Sequence, residues 1–106
     1  MSEFQLVLVT AGSEDDAAAI ARVLVQEGLA ACVNIVPRIR SFYTWEGEVH
    51  DDPEVLMLIK TQAARYEALE KRVKELHGYD VPEVIAIPIT AGSRDYLDWV
   101  RGCTTS

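Results

Sequence analysis

The sequence is poor in basic residues, poor in cysteine and free of long apolar runs, and each shortage excludes a class of protein. Ten lysines and arginines stand against seventeen acidic residues, which gives a net charge of −7. A negative field of this kind repels phosphate backbones and anionic lipids, so we expect no nucleic-acid partner and no membrane partner. The apolar runs are also too short to cross a bilayer.

The two cysteines, Cys32 and Cys103, lie far apart and lack the paired spacing of a disulfide framework or a zinc knuckle. Reduced thiols are therefore expected. The first residues show no basic segment followed by a signal-type apolar core, so the predicted location is the cytoplasm. The length of 106 residues predicts one domain over residues 1–106.

Common catalytic signatures are missing as well. The sequence has no glycine-rich phosphate loop, no Ser-His-Asp order, no Cys-x-x-Cys pair and no dinucleotide fingerprint. These absences favour a protein that is not an enzyme and that carries no organic cofactor. An alternative remains open, in which Lys60 and His77 contribute to active sites shared between subunits.

What the sequence does contain is a set of unusually apolar strands. Four segments carry apolar side chains on both faces of the strand that each would form, at residues 4–9, 30–36, 55–59 and 84–89. The chain supplies only three helices, which cover roughly one face of a sheet. A second copy of the chain is the simplest cover for the other face, so we expect an obligate homo-oligomer.

Local signals predict where the elements begin and end. Ser13, with an acidic residue three positions on, is typical of a helix N-cap, and Gly28 is a natural end for that helix. A strand is expected over residues 29–36, with a possible continuation to residue 45, and Pro37 would bend it or mark it as an edge strand. Residues 46–48 are the turn of a long hairpin whose returning strand ends at residues 59–61.

The second half of the chain predicts two more helices around a fourth strand. The first carries Tyr66, Leu69 and Val73 on one face and ends at residues 77–78, while Ser93 caps the short last helix. The resulting order is strand, helix, strand, strand, helix, strand, helix. This is an α+β, ferredoxin-like split β-α-β arrangement with an antiparallel sheet and an appended C-terminal helix.

Five segments of the chain resemble the CutA divalent-cation tolerance family. They are LAACVNI at 29–35, SFYTWEG at 41–47, LIKT at 58–61, HGYDVPE at 77–83 and RDYLDW at 94–99. The resemblance covers nearly the whole chain, with the motifs in order. It implies a compact homotrimer of ferredoxin-like subunits, with the sheets inward and with strand pairing between subunits through the long hairpin. It also implies a role in metal-ion tolerance.

The resemblance is incomplete at two places. Gly78 and Asp80 stand where the family usually has proline and glutamate. In some bacterial members, copper ligands are assigned to the positions that Val9, Leu76 and His77 occupy here, so one of three assigned ligands is retained.

Cys32 and His77 are the candidate metal ligands. A thiolate and an imidazole together suit copper or zinc, although a firm site needs three or four donors and the sequence has no dense cluster. Neighbouring subunits, Asp80 or Glu83 could supply the rest. Each candidate also has a structural interpretation, since Cys32 lies in an apolar strand and His77 can cap a helix C-terminus. His50 is interpreted as a solvated hairpin residue.

A second group of residues suits a cleft between subunits. It consists of Tyr43, Trp45, Lys60, Tyr79 and Glu83. The aromatic residues combine a large apolar body with a polar tip, which serves interface packing and ligand binding equally well. The ammonium of Lys60 either extends to the sheet rim or acts as a buried amine of lowered pKa.

Two functions follow from these residues. The first is a homotrimer that binds divalent cations, copper foremost, and acts in metal tolerance without catalysis. The alternative is a PII-like signalling or small-molecule-binding trimer that uses the clefts between subunits. This alternative rests on an analogy with other trimers of ferredoxin-like subunits.

Overall fold

The computed structural model describes residues 2–105, so both ends of the predicted domain, Met1 and Ser106, lie outside the described residues. Within these residues, four strands and three α-helices follow one another along the chain. In order they are β1 (Phe4–Ala11), α1 (Glu14–Gln26), β2 (Cys32–Trp45), β3 (Glu48–Gln62), α2 (Tyr66–Leu76), β4 (Val84–Pro88) and α3 (Arg94–Cys103). A short 3-10 turn, Ala63–Arg65, joins β3 to α2.

The strands form one antiparallel sheet in the order β2-β3-β1-β4. The predicted α+β class, the antiparallel sheet and the order of elements are confirmed. Because β1 and β3 are the central pair, their side chains decide what lies on each face of the sheet.

The helix caps that the sequence predicts are present in the structure. The Ser13 hydroxyl accepts a hydrogen bond from the Asp16 N–H at 3.1 Å, and the Ser93 hydroxyl accepts one from the Tyr96 N–H at 3.4 Å. Gly28 adopts a φ of 70°, the left-handed conformation in which a helix commonly ends. The predicted starts of α1 and α3 and the end of α1 are therefore confirmed.

The predicted start of β2 was wrong by three residues. Residues 29–31 are not strand, because the N–H groups of Leu29 and Ala30 both donate to the Leu24 carbonyl and close the end of α1. The strand begins only at Cys32 and runs to Trp45. Its register against β3 shifts between Val36 and Ile39, so the predicted irregularity at Pro37 is a bulge on an edge strand.

The hairpin that joins β2 to β3 turns through two residues, not three. Glu46 and Gly47 have φ values of 51° and 81°, as a type I′ turn requires, and Glu48 already belongs to β3. Pairing with β1 stops at Val55, whereas β2 and β3 stay paired out to Trp45 and Glu48. The outer part of the hairpin is thus a two-stranded ribbon that extends beyond the sheet.

One face of the sheet is packed under α1 and α2. Val7 and Val9 of β1 and Met57 and Ile59 of β3 are fully buried there against Leu24 and other helix residues. The opposite face is covered only at one end, where Val100 of α3 packs with Phe4 and Ala31.

The remainder of that second face is apolar and open, and we call it the outer face. Strand alternation and the observed register assign to it Leu6, Leu8, Val36, Leu56, Leu58, Ile85 and Ile87. Ile85 and Ile87 are 51% and 46% exposed, which is high for isoleucine. A single subunit therefore leaves a contiguous aliphatic surface in water.

Candidate functional site

A cleft lies between the base of the hairpin and the connector from α2 to β4. Its volume is about 690 Å³, within the usual range for small-molecule sites. Its lining comprises Thr10, Arg40, Ser41, Phe42, Tyr43, Trp45, Glu54, Gly78, Tyr79, Asp80, Val81 and Glu83. Four of the five residues predicted to share a cleft therefore lie around one cavity of a single subunit.

Two tyrosine–carboxylate pairs lie at this cleft, and Tyr43, Tyr79 and Glu54 of these pairs line it. The Tyr79 hydroxyl donates to Glu54 Oε2 at 2.8 Å, and the Tyr43 hydroxyl donates to Asp52 Oδ2 at 2.7 Å. Burial, followed by the bond to Glu54, raises the pKa of Tyr79, while the bond to Asp52 is the main cause that raises the pKa of Tyr43. Both phenols are thereby held as hydrogen-bond donors.

The ring of Tyr43 is also held by stacking on its face. It stacks on His50 across the hairpin, with centroids 5.1 Å apart and planes inclined by 15°. Nearby, Arg40 makes a two-point ion pair with Asp51, with nitrogen to oxygen distances of 2.9 and 2.8 Å. The one basic side chain of the cleft lining is thus already engaged by a carboxylate.

His77 ties the connector to the sheet. Its Nδ1 accepts a hydrogen bond from the Tyr79 N–H at 3.1 Å, so the proton is assigned to Nε2, which lies 2.7 Å from the Thr10 carbonyl oxygen. The ring also packs against Tyr79, with centroids 4.7 Å apart. Both ring nitrogens are occupied, so a metal could bind His77 only after one of these hydrogen bonds is broken.

Lys60 and Cys32 lie elsewhere, on the outer face at the end near α3. They are opposite each other in the β2–β3 register, and the Lys60 ammonium donates to the Asn34 side-chain oxygen. The Cys32 thiol lies 3.8 Å from that same oxygen. Burial, and next the neighbouring Cys32, raise the pKa of Tyr96 on α3. Lys60 does not line the cleft of its own subunit.

Cys32 and His77 are too far apart in one subunit to share a metal ion. Cys32 lies opposite Lys60 in β3, whereas Thr10, which His77 contacts, lies opposite Leu56. Four residues of extended strand span about 13 Å. Among residues 2–105, no three histidine, cysteine, aspartate or glutamate side chains are grouped closely enough to hold a metal.

Two of the three positions at which the resemblance implies copper ligands offer no donor here. Val9 is fully buried between the sheet and the helices. Leu76, at the second of those positions, packs against the same core.

Sequence reasoning missed Glu54, Asp52 and Arg40. The register of the hairpin could have located Asp52. A two-residue turn at 46–47 places His50 opposite Tyr43 and Asp52 opposite Ser41, which brings Asp52 close to Tyr43. The contact between Glu54 and Tyr79 joins the hairpin to a distant connector, and no local pattern contains it.

The fold and the cleft define a class, a small ferredoxin-like α+β protein with an open apolar sheet face and an aromatic, acidic cleft at the base of a long hairpin. The family model described as CutA1 divalent ion tolerance protein matches residues 5–103. The chain belongs to this family, and the predicted resemblance is confirmed.

Individual relatives agree with that assignment. The divalent-cation tolerance protein CutA of Thermus thermophilus is 54% identical over 97 residues, which are 92% of this chain and 94% of that protein. The chloroplastic protein CutA of Arabidopsis thaliana is 50% identical over 99 residues, 93% of this chain but 54% of the plant protein. This chain thus spans about half the length of the plant relative.

The fold is shared with solved structures of the family. The divalent cation tolerance protein from Thermus thermophilus superposes with a TM-score of 0.93 at 52% identity, covering 96% of this chain and 99% of that one. Separately, no helix within residues 2–105 combines the length and the apolar character needed to cross a membrane.

The hydrogen bonds of His77 predict a structural cost for its removal. The His77→Ala variant leaves the buried Thr10 carbonyl without its donor, so we expect the free energy of unfolding to fall by about 1–3 kcal/mol. Denaturant unfolding at fixed protein concentration measures it. His50→Ala is the matched control and should cost less than about 0.5 kcal/mol. Equal, small losses in both variants would contradict the role assigned to His77.

Proposed function

We propose that this protein is a homotrimer that binds divalent cations, copper foremost, and acts in metal-ion tolerance without catalysis of its own. The family description names divalent ion tolerance and no reaction. We further propose that residues 1–106 form one domain and that the protein lies in the cytoplasm. The name of one relative places that protein in the chloroplast.

The observation that carries the proposal is the open outer face. A two-layer protein of this size normally buries both apolar faces of its sheet, and here α3 reaches only one end of the second face. Identical subunits packed sheet to sheet would remove this surface from water, at a gain of roughly 25 cal/mol per Å² of apolar area. The protruding ribbon supports the same conclusion, because an isolated two-stranded hairpin is at best marginally stable.

A metal site in such an assembly would be shared. Cys32 lies on the outer face, where a neighbouring subunit would approach it, whereas His77 lies about four residues of strand away. Copper or zinc held by either residue therefore needs further donors from a second copy of the chain.

The assembly is tested by a charge placed on the outer face. Sedimentation of the unmodified protein should give three times the 11.8 kDa chain mass. Ile87→Lys should dissociate it, because the ammonium would be buried without a partner. Val25→Lys on α1 is the control, since Val25 is 44% exposed and Ile87 46%, and it should leave the trimer intact. A stable single subunit at micromolar concentration would refute the proposal.

Metal binding is tested by calorimetric titration of the trimer with copper and with zinc. We expect copper affinity tighter than millimolar, reduced at least about tenfold by Cys32→Ser or His77→Ala. Cys103→Ser and His50→Ala serve as controls, because these are the other cysteine and histidine of the chain. Affinity no better than millimolar, or equal losses in variants and controls, would remove these two residues as ligands.

A second function is favoured by the cleft itself. It collects Tyr43, Trp45, Tyr79 and Glu83 in one cavity, which suits a signalling or small-molecule-binding trimer. Strand alternation also puts Thr10 and Glu54 of its lining on the same side as Leu8 and Leu56 of the outer face. The cleft would therefore open beside the subunit interface, and Lys60 could reach it only from a neighbouring copy.

Thermal-shift measurements with nucleotides and metabolites test this second function. A ligand at about 100 times its Kd adds about 2.7 kcal/mol of stability and should raise Tm by several degrees. Trp45→Ala should abolish the shift, because Trp45 lines the cleft. Trp99→Ala is the control and should retain the shift, since Trp99 is similarly exposed, 47% against 43%, but does not line the cleft. Silence across a broad panel would count against a small-molecule role.

A further inference from the structure

We propose that the cleft binds an organic ammonium cation with an apolar body, held by the rings of Tyr43, Trp45 and Tyr79 and by the carboxylate of Glu54. This inference rests on the proposed small-molecule role of the cleft and names the class of ligand. It is distinct from the binding of metal ions at Cys32 or His77.

The aromatic lining provides the surface for such a ligand. The residues Tyr43, Trp45 and Tyr79 are 43%, 43% and 42% exposed and all border the cavity, so none is buried in the core. The face of an aromatic ring carries negative charge and attracts alkylated ammonium groups, tryptophan most strongly. The three side chains therefore present aromatic surface to the cavity.

The hydrogen bonds strengthen this attraction. Tyr43 and Tyr79 each donate their hydroxyl proton to a carboxylate, Asp52 and Glu54 respectively. Donation to an anion shifts electron density from the hydroxyl into the ring, which makes the ring face more negative. Glu54 uses only Oε2 for this bond, and among residues 2–105 no side chain donates to its Oε1.

The charges of the lining select a cation over an anion. Three carboxylates border the cavity, those of Glu54, Asp80 and Glu83, against the single basic residue Arg40. Arg40 is already paired with Asp51. An anionic ligand would therefore meet an excess of negative charge and no free guanidinium.

The same lining does not suit a bare metal ion. The carboxylates are spread around the cavity, and within residues 2–105 no group of three acidic, histidine or cysteine side chains is close enough to coordinate one. A hard cation needs several oxygen ligands at about 2.0–2.6 Å. A cleft of about 690 Å³ instead matches a ligand with an extended body.

Fluorescence of Trp45 tests the proposal on the assembled protein. The chain has two tryptophans, so Trp99→Phe leaves Trp45 as the only reporter. Three probes share a benzyl or phenyl body and differ in charge: benzyltrimethylammonium, benzyl alcohol and benzoate. We expect saturable quenching by benzyltrimethylammonium with a Kd below about 1 mM, and binding at least tenfold weaker for the other two.

A charge-matched pair of variants localises the effect. Glu54→Gln keeps an acceptor for the Tyr79 hydroxyl but removes the charge, and it should weaken binding of the cation about tenfold. Glu67→Gln removes the same charge from the exposed surface of α2 and should change nothing. Equal weakening in both variants would assign the effect to net charge and overturn the proposal.

The probes also separate failure of this inference from failure of the small-molecule role. Benzyl alcohol or benzoate binding as tightly as the cation would refute the ammonium ligand and leave the cleft as a small-molecule site. Saturable binding by none of the three would refute the ammonium ligand as well, and the thermal-shift panel then decides the small-molecule role independently.

Discussion

The antiparallel pairing of β1 with β3 is the constraint on which the rest of this structure depends. These two strands occupy the centre of the sheet, and residues 4–9 of β1 and 55–59 of β3 are largely apolar on both faces. One face disappears beneath α1 and α2, as expected for a two-layer protein. The other face cannot be covered in the same way, because the remaining helix is short and packs at one end. The proposal of a homo-oligomer therefore rests on the solvent exposure of this face, independently of the family membership.

Features that depend on a few neighbouring residues could be predicted from the sequence. Ser13 and Gly28 bound α1 through local hydrogen bonds and a left-handed backbone, and the Glu46–Gly47 turn requires positive φ values that glycine permits. Residues 29–31 were assigned to a strand because they are apolar. They instead close α1, since the Leu24 carbonyl accepts from two of their N–H groups.

The candidate site was predictable in composition but not in geometry. Aromatic residues with polar tips marked Tyr43, Trp45 and Tyr79, and the structure places them together. Glu54 was not identified, because its contact with Tyr79 joins segments that only the complete fold brings together. Lys60 was expected in a cleft between subunits, and the register places it opposite Cys32, so it does not line the cleft of its own subunit.

The unbroken pairing of β3 with β1 has a consequence for the length changes that the strand can accommodate. One uninterrupted strand, Glu48–Gln62, carries a cleft carboxylate, the aliphatic surface of Leu56 and Leu58, and the buried Met57 and Ile59. Because side chains alternate strictly, inserting or deleting one residue between Glu54 and Met57 would move every residue beyond the change to the opposite face of the sheet. A single-residue length change in this part of β3 would therefore disturb both faces of the sheet unless a bulge absorbs it, whereas the hairpin tip pairs only with β2 and has fewer partners to displace.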